Sequence, residues 1–205
     1  MTAAAKLGEA ARSGRLLVKI CGMRTLEDAR FAVEQGADAL GFVFWYMSPR
    51  RLEPEQAALI SAELPASVLR VGVFVDAPRE EIERTADSVG LDLLQLHGEE
   101  PPEALVGLSR PALKAVRVGP KFTAEEALRY SDVAAGIVVD TRLPGETSMP
   151  GGTGVPFDWS YTGPLIAIVA GAVIVGEILV AWCLRQRRQT PPAEAAGPQE
   201  LRRAA

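Results

Sequence analysis

The chain has 205 residues, 48% of them hydrophobic, with one histidine and two cysteines, Cys21 and Cys183. That length holds one domain, or a domain and a tail, with a sizeable core. A formal net charge of −4 argues against a nucleic-acid surface. The single histidine and two distant cysteines make neither a standard zinc site nor a disulfide framework.

Residues 1–15 carry no apolar stretch of the signal-peptide kind and read as an N-terminal extension of a cytoplasmic protein. From Leu16 to Asp140 the sequence alternates two textures. Short β-branched runs fall at Leu17–Ile20, Ala39–Phe44, Leu69–Val75, Leu93–Leu96, Leu113–Val116 and Ile137–Val139. Helix-like segments lie between them, at Thr25–Gln35, Glu53–Leu64, Pro78–Val89, Glu103–Leu108 and Ala124–Tyr130. Thr25 stands where it can cap the first of these, and Gly36 where it can stop it. Pro54 and Pro78 sit at the starts of the second and third.

Strands and helices in regular alternation predict the βα repeat of a parallel sheet. No Gly-x-Gly-x-x-Gly follows the first strand, which weighs against a dinucleotide fold. Polar residues at several strand ends (Cys21, Asp76, His97, Asp140) fit the mouth of a barrel better. The expected fold is therefore α/β, a (βα)8 TIM-barrel type that is incomplete, with six clear βα strands over residues 16–160. Its open ends would leave the first and sixth strands with unpaired edges.

Alternation of side chains puts Lys19 and Cys21 on one face of the first strand, and Val138 and Asp140 on one face of the sixth. If both faces are interior, a thiol and a carboxylate meet at the carboxyl end of the barrel, the place for chemistry in such folds. That pair suggests proton-transfer catalysis, with no metal ligands nearby. A thiol must be held as thiolate to act as a base, and Lys19 is on the right face to help.

After the sixth strand, residues 144–156 form a Gly/Pro-rich loop. Residues 161–188 form a hydrophobic segment whose stretch 165–184 contains one charge, Glu177. Three readings of that helix-like stretch stand together: a single membrane span, a degenerate seventh strand and helix, or a tail foreign to the fold through a shifted frame or fusion. Residues 189–205 are Pro/Ala/Gln/Arg-rich and read as a disordered tail.

Several motifs in order carry a family resemblance: Lys19-Ile20-Cys21-Gly22, Gly41-Phe42-Val43-Phe44 with Ser48-Pro49-Arg50, Val71-Gly72-Val73-Phe74, Gln95-Leu96-His97-Gly98, Asp140-Thr141, and Gly151-Gly152-Thr153-Gly154 with Phe157-Asp158-Trp159. Over about Leu17 to Trp159 the chain resembles phosphoribosylanthranilate isomerases of tryptophan biosynthesis. The resemblance implies a (βα)8 barrel performing an Amadori rearrangement of N-(5′-phosphoribosyl)anthranilate without a cofactor or metal. It implies Asp140 as general acid and Cys21 as general base. Arg50, rather than its neighbour Arg51, would hold the anthranilate carboxylate. Gln95, His97, Gly152, Thr153 and Gly154 would line the phosphorylated substrate, and for His97 a packed, hydrogen-bonded role competes with proton transfer. The family's Gly-Gly and Ser-Ser-Gly phosphate turns have no counterpart here, so an inactive, truncated or frame-shifted remnant is the alternative.

Overall fold

The computed structural model describes residues 2–13, 16–119, 122–141 and 173–175. Seven strands form one parallel sheet in sequence order: β1 (Lys19–Cys21), β2 (Ala39–Val43), β3 (Leu69–Phe74), β4 (Leu93–Leu96), β5 (Ala112–Val118), β6 (Gly136–Thr141) and β7 (Val173–Val175). Helix α1 (Ala3–Ser13) precedes them, and α2 (Leu26–Glu34), α3 (Pro54–Ala62), α4 (Arg79–Val89), α5 (Pro102–Leu105) and α6 (Ala124–Leu128) fill the crossovers.

The expected helix signals act as chemistry dictates. Thr25 Oγ1 accepts the Asp28 N–H at 3.1 Å, satisfying one of the orphan donors of the first turn. Pro54 opens α3, and α6 begins with a capping box in which Thr123 and Glu126 satisfy each other's backbone.

Alternation along the strands separates two cores. Outward residues such as Leu40, Phe42, Phe74, Leu94, Leu96, Val116 and Val139 pack against Ala29, Ala57, Ile60, Ile82, Ala86 and Ala127 of the helices. Burying one such large apolar side chain stabilises by about 1.5–3 kcal/mol. Inward residues Ala39, Leu69, Val71, Leu93, Leu113, Ala115 and Val138 form a second cluster spanning β2 to β6. Contact among side chains from five strands requires a concave sheet, so the architecture is an α/β half-barrel.

The N-terminal extension is structured. Ala3 and Leu7 of α1 are buried in the inner cluster, among residues that begin the strands. Helix α1 thus covers the amino-terminal rim, and Lys6 Nζ donates to the carbonyl of Ser67 in the α3–β3 loop. Its four-residue spacing puts Ala3 and Leu7 on one helix face.

The C-terminal expectations need correction. Among the described residues a seventh strand, Val173–Val175, pairs in parallel with Ile137–Val139 of β6, so β6 is not an edge, and of the three readings these positions fit the degenerate seventh strand. A continuous helix over 165–184 is ruled out at these three positions. The β-branched Val-Ile-Val run satisfies the open ladder of β6, which a helix turn there would leave unpaired. Among the described residues no helix is long and apolar enough to cross a membrane. The rest of 161–188, the tail 189–205, and Gly152, Thr153 and Gly154 lie outside the described residues.

Candidate active site

Cys21 ends β1, and its register partner is Gly41 of β2. A Cβ placed on Gly41 would stand 2.7 Å from Cys21 Sγ; only a glycine leaves room for the sulfur there. The thiol is 1% exposed and packs on inward-facing Val43 and Val73, with Trp45 against the same cluster. Cys21 therefore faces the concave interior near the carboxyl rim, as the alternation predicts.

Gly22 follows with φ +84, a backbone conformation that suits glycine. A Cβ there would meet Arg50 Cδ at 2.7 Å and Nε at 3.4 Å. The Arg50 side chain thus crosses the backbone beside Cys21. Arg51 diverges, its Nη2 pairing with Glu53 at 3.0 Å on the outside of the loop. Of the two arginines, Arg50 is the one brought to the site.

Across the concavity, Asp140 of β6 is partly open, its side chain 15% exposed. Its Oδ2 lies 3.0 Å from His97 Nε2. His97 follows β4, is 4% exposed, and bonds Phe74 O through its backbone N–H at 2.8 Å. Its Nδ1 lies 2.8 Å from Gln95 Nε2. Gln95, His97 and Asp140 therefore form one hydrogen-bonded row, with only the last opening towards solvent.

Behind that row, on the helix side of the sheet, lies a buried frame absent from the sequence expectations. Lys114 Nζ bonds Glu100 Oε2 at 2.7 Å and Gly98 O at 2.6 Å. Glu100 Oε1 accepts the backbone N–H groups of Asp76 and Gly98 at 2.9 and 3.0 Å. The Tyr130 hydroxyl donates to Glu100 O at 2.8 Å, and burial pushes that hydroxyl's pKa up, with Glu100 adding in the same sense against Arg129. The frame ties the β3–α4 turn, the loop after β4, β5 and the end of α6 together immediately beside His97. Asp76 takes part as a turn residue just beyond the carboxyl end of β3, with φ 48 and its Oδ1 accepting Glu99 N–H. A lone lysine inside Ala112-Leu113-Lys114-Ala115-Val116 was the available signal, since a buried charge needs a partner.

Arg117 was also missed. It is the register partner of Asp140 on β5 and pairs through Nη2 with Glu99. It brings a fixed cation to the same rim. Lys19 occupies the interior face as expected, in register with Ala39, one layer below Cys21. Among the described residues no group of three or more His, Cys, Asp or Glu side chains could hold a metal ion.

A thiol, a carboxyl group held by an imidazole, and a guanidinium over the adjoining backbone can do general acid–base work on an anionic substrate. The family model for N-(5′-phosphoribosyl)anthranilate (PRA) isomerase matches residues 18–176. The N-(5′-phosphoribosyl)anthranilate isomerase of Pseudomonas putida (strain W619) is 46% identical over 163 residues, covering 78% of each chain. The crystal structure of the phosphoribosyl anthranilate isomerase of Thermus thermophilus superposes with a TM-score of 0.69 at 36% identity, covering 85% of this chain and 82% of that one. A phosphoribosyl anthranilate isomerase solved in complex with reduced 1-(o-carboxyphenylamino)-1-deoxyribulose 5-phosphate gives a TM-score of 0.62 at 43% identity, over 73% and 70% of the two chains.

Proposed function

The chain belongs to the N-(5′-phosphoribosyl)anthranilate isomerase family, and from that membership we propose how its residues carry out the aldose–ketose isomerisation of tryptophan biosynthesis. The substrate is a phosphorylated small molecule, a ribose 5-phosphate joined through C1′ to the anthranilate nitrogen. Asp140, in its acid form, gives a proton to the ribose ring oxygen. The C1′–O4′ bond breaks and the nitrogen lone pair closes a C1′=N iminium. A C–H beside an iminium is acidified, and the Cys21 thiolate takes the proton from C2′. The electron pair left behind forms the C1′–C2′ double bond of an enolamine, with nitrogen regaining its lone pair. Tautomerisation then moves the O2′ proton to C1′ and leaves a ketone at C2′.

General acid and general base steps each contribute about 10²–10⁴-fold. Arg50 holds the anthranilate carboxylate, its fork being suited to two parallel bonds with such a group. Gly152, Thr153 and Gly154 follow β6 in the chain and are assigned to the substrate side from sequence alone.

What supports this reading is that Cys21 faces inward at the carboxyl end of β1 against Gly41, while Asp140, on the same strand face as buried Val138, lies towards the carboxyl end of β6 with Oδ2 held 3.0 Å from His97. The experiment supplies N-(5′-phosphoribosyl)anthranilate to the purified chain and follows the anthranilate-type fluorescence. The expected result is turnover in the wild type and none in Cys21→Ala or Asp140→Asn. A folded wild type without turnover would support a non-catalytic remnant, and activity in either variant would overturn the assigned roles.

A further inference from the structure

Gln95 is an anomaly in its layer. Its register partners on both sides, Val73 and Leu113, are apolar, and it is 1% exposed. Its Nε2 lies 2.8 Å from His97 Nδ1, while its Oε1, also buried, has no hydrogen-bond partner among the described residues. Of the two amide atoms, the nitrogen is the one turned to the ring.

An amide nitrogen only donates. His97 Nδ1 must therefore accept, and a neutral imidazole with an accepting Nδ1 carries its single proton on Nε2. That proton points at Asp140 Oδ2, 3.0 Å away. The geometry points to Gln95 as a positioning residue for Asp140: through the tautomer of His97 it keeps an N–H donor on Oδ2 throughout the reaction. This rests on Asp140 being the general acid, as read above. With Oδ2 occupied as an acceptor, the acidic proton of Asp140 resides on Oδ1. When that proton leaves for the ring oxygen, the carboxylate charge develops against a donor already in place, so the bond strengthens towards the transition state. His97 and Gln95 give up no proton.

Because His97 is the chain's one histidine, ring-¹⁵N-histidine labelling reads its tautomer without assignment. The expected wild-type spectrum at neutral pH has a pyridine-like Nδ1 and a pyrrole-like Nε2. Gln95→Met keeps the side-chain length and removes the donor; it should give mixed tautomers and lower kcat by about 10- to 100-fold with KM unchanged. Gln95→Glu offers only acceptors and should draw a proton onto Nδ1. A wild-type ring protonated on Nδ1 overturns the inference, even if both variants fail to fold. So does a folded Gln95→Met with the wild-type tautomer or the wild-type kcat while the wild type turns over. Absence of turnover in the wild type instead overturns the functional reading and the role built on it, whatever the ring spectrum.

Discussion

Replacing Gly41 with alanine should remove activity without unfolding the protein. The added methyl would lie 2.7 Å from Cys21 Sγ, 3.1 Å from its Cα and 3.2 Å from its Cβ. Carbon contacts are relaxed at about 3.5–4.0 Å, so strand backbone as well as sulfur must yield by roughly half an ångström or more. The part that yields is β1, three residues long and paired to β2. Overpacking of this kind costs about 1–3 kcal/mol, within a typical total of about 5–15 kcal/mol. A reacting atom displaced by about 1 Å costs on the order of 10²-fold in rate.

Gly72→Ala is the matched control, because its methyl would strike Leu91 Cδ1 at 2.4 Å and Phe74 Cε2 at 2.8 Å on the outer face. Urea melts and kcat per folded molecule separate the two effects. Both variants should lose stability, and only Gly41→Ala should lose kcat. Full kcat in Gly41→Ala, or an equal loss per folded molecule in Gly72→Ala, would refute the placement of the sulfur against β2.

Arg50→Lys should raise KM roughly tenfold or more, from about 1.5 kcal/mol for one lost charged hydrogen bond, with little change in kcat; steady-state kinetics decide it, and an unchanged KM removes Arg50 from carboxylate binding. Lys114→Met leaves Glu100 buried without its cation and should cost about 3–5 kcal/mol in urea unfolding; a loss under about 1 kcal/mol would make the pair no more than a surface bridge. Deleting residues 2–13 uncovers the inner cluster at the amino rim and should cost about 2–3 kcal/mol for Leu7 and its neighbours. The folded fraction should keep its kcat, since α1 sits at the rim opposite the site; a large fall in kcat per folded molecule would contradict that arrangement.

The six strands and five of the helices were legible because β-branched runs, caps and prolines act locally. Cys21 and Asp140 were legible as inward residues because alternation is a property of the strand alone. Helix α1 was not read, since its apolar face is narrow and only the packing of Ala3 and Leu7 into the inner cluster makes it a structural element. The strand Val173–Val175 was only one of the readings left open: a twenty-residue apolar stretch interrupted by Glu177 fits a helix or a strand until β6 presents an open ladder.

By itself the sequence determined the βα order, the faces of Cys21 and Asp140, and a set of motifs that names a family. Only the tertiary structure decided that the Arg50 side chain passes against Gly22, that Lys114 and Glu100 pair beside Gly98, and that Gln95 touches His97 rather than open space. Periodicity reports which side of an element a residue faces. Partners are set by strand curvature and by the rigid close packing of side chains from separate elements, which no single stretch of chain contains.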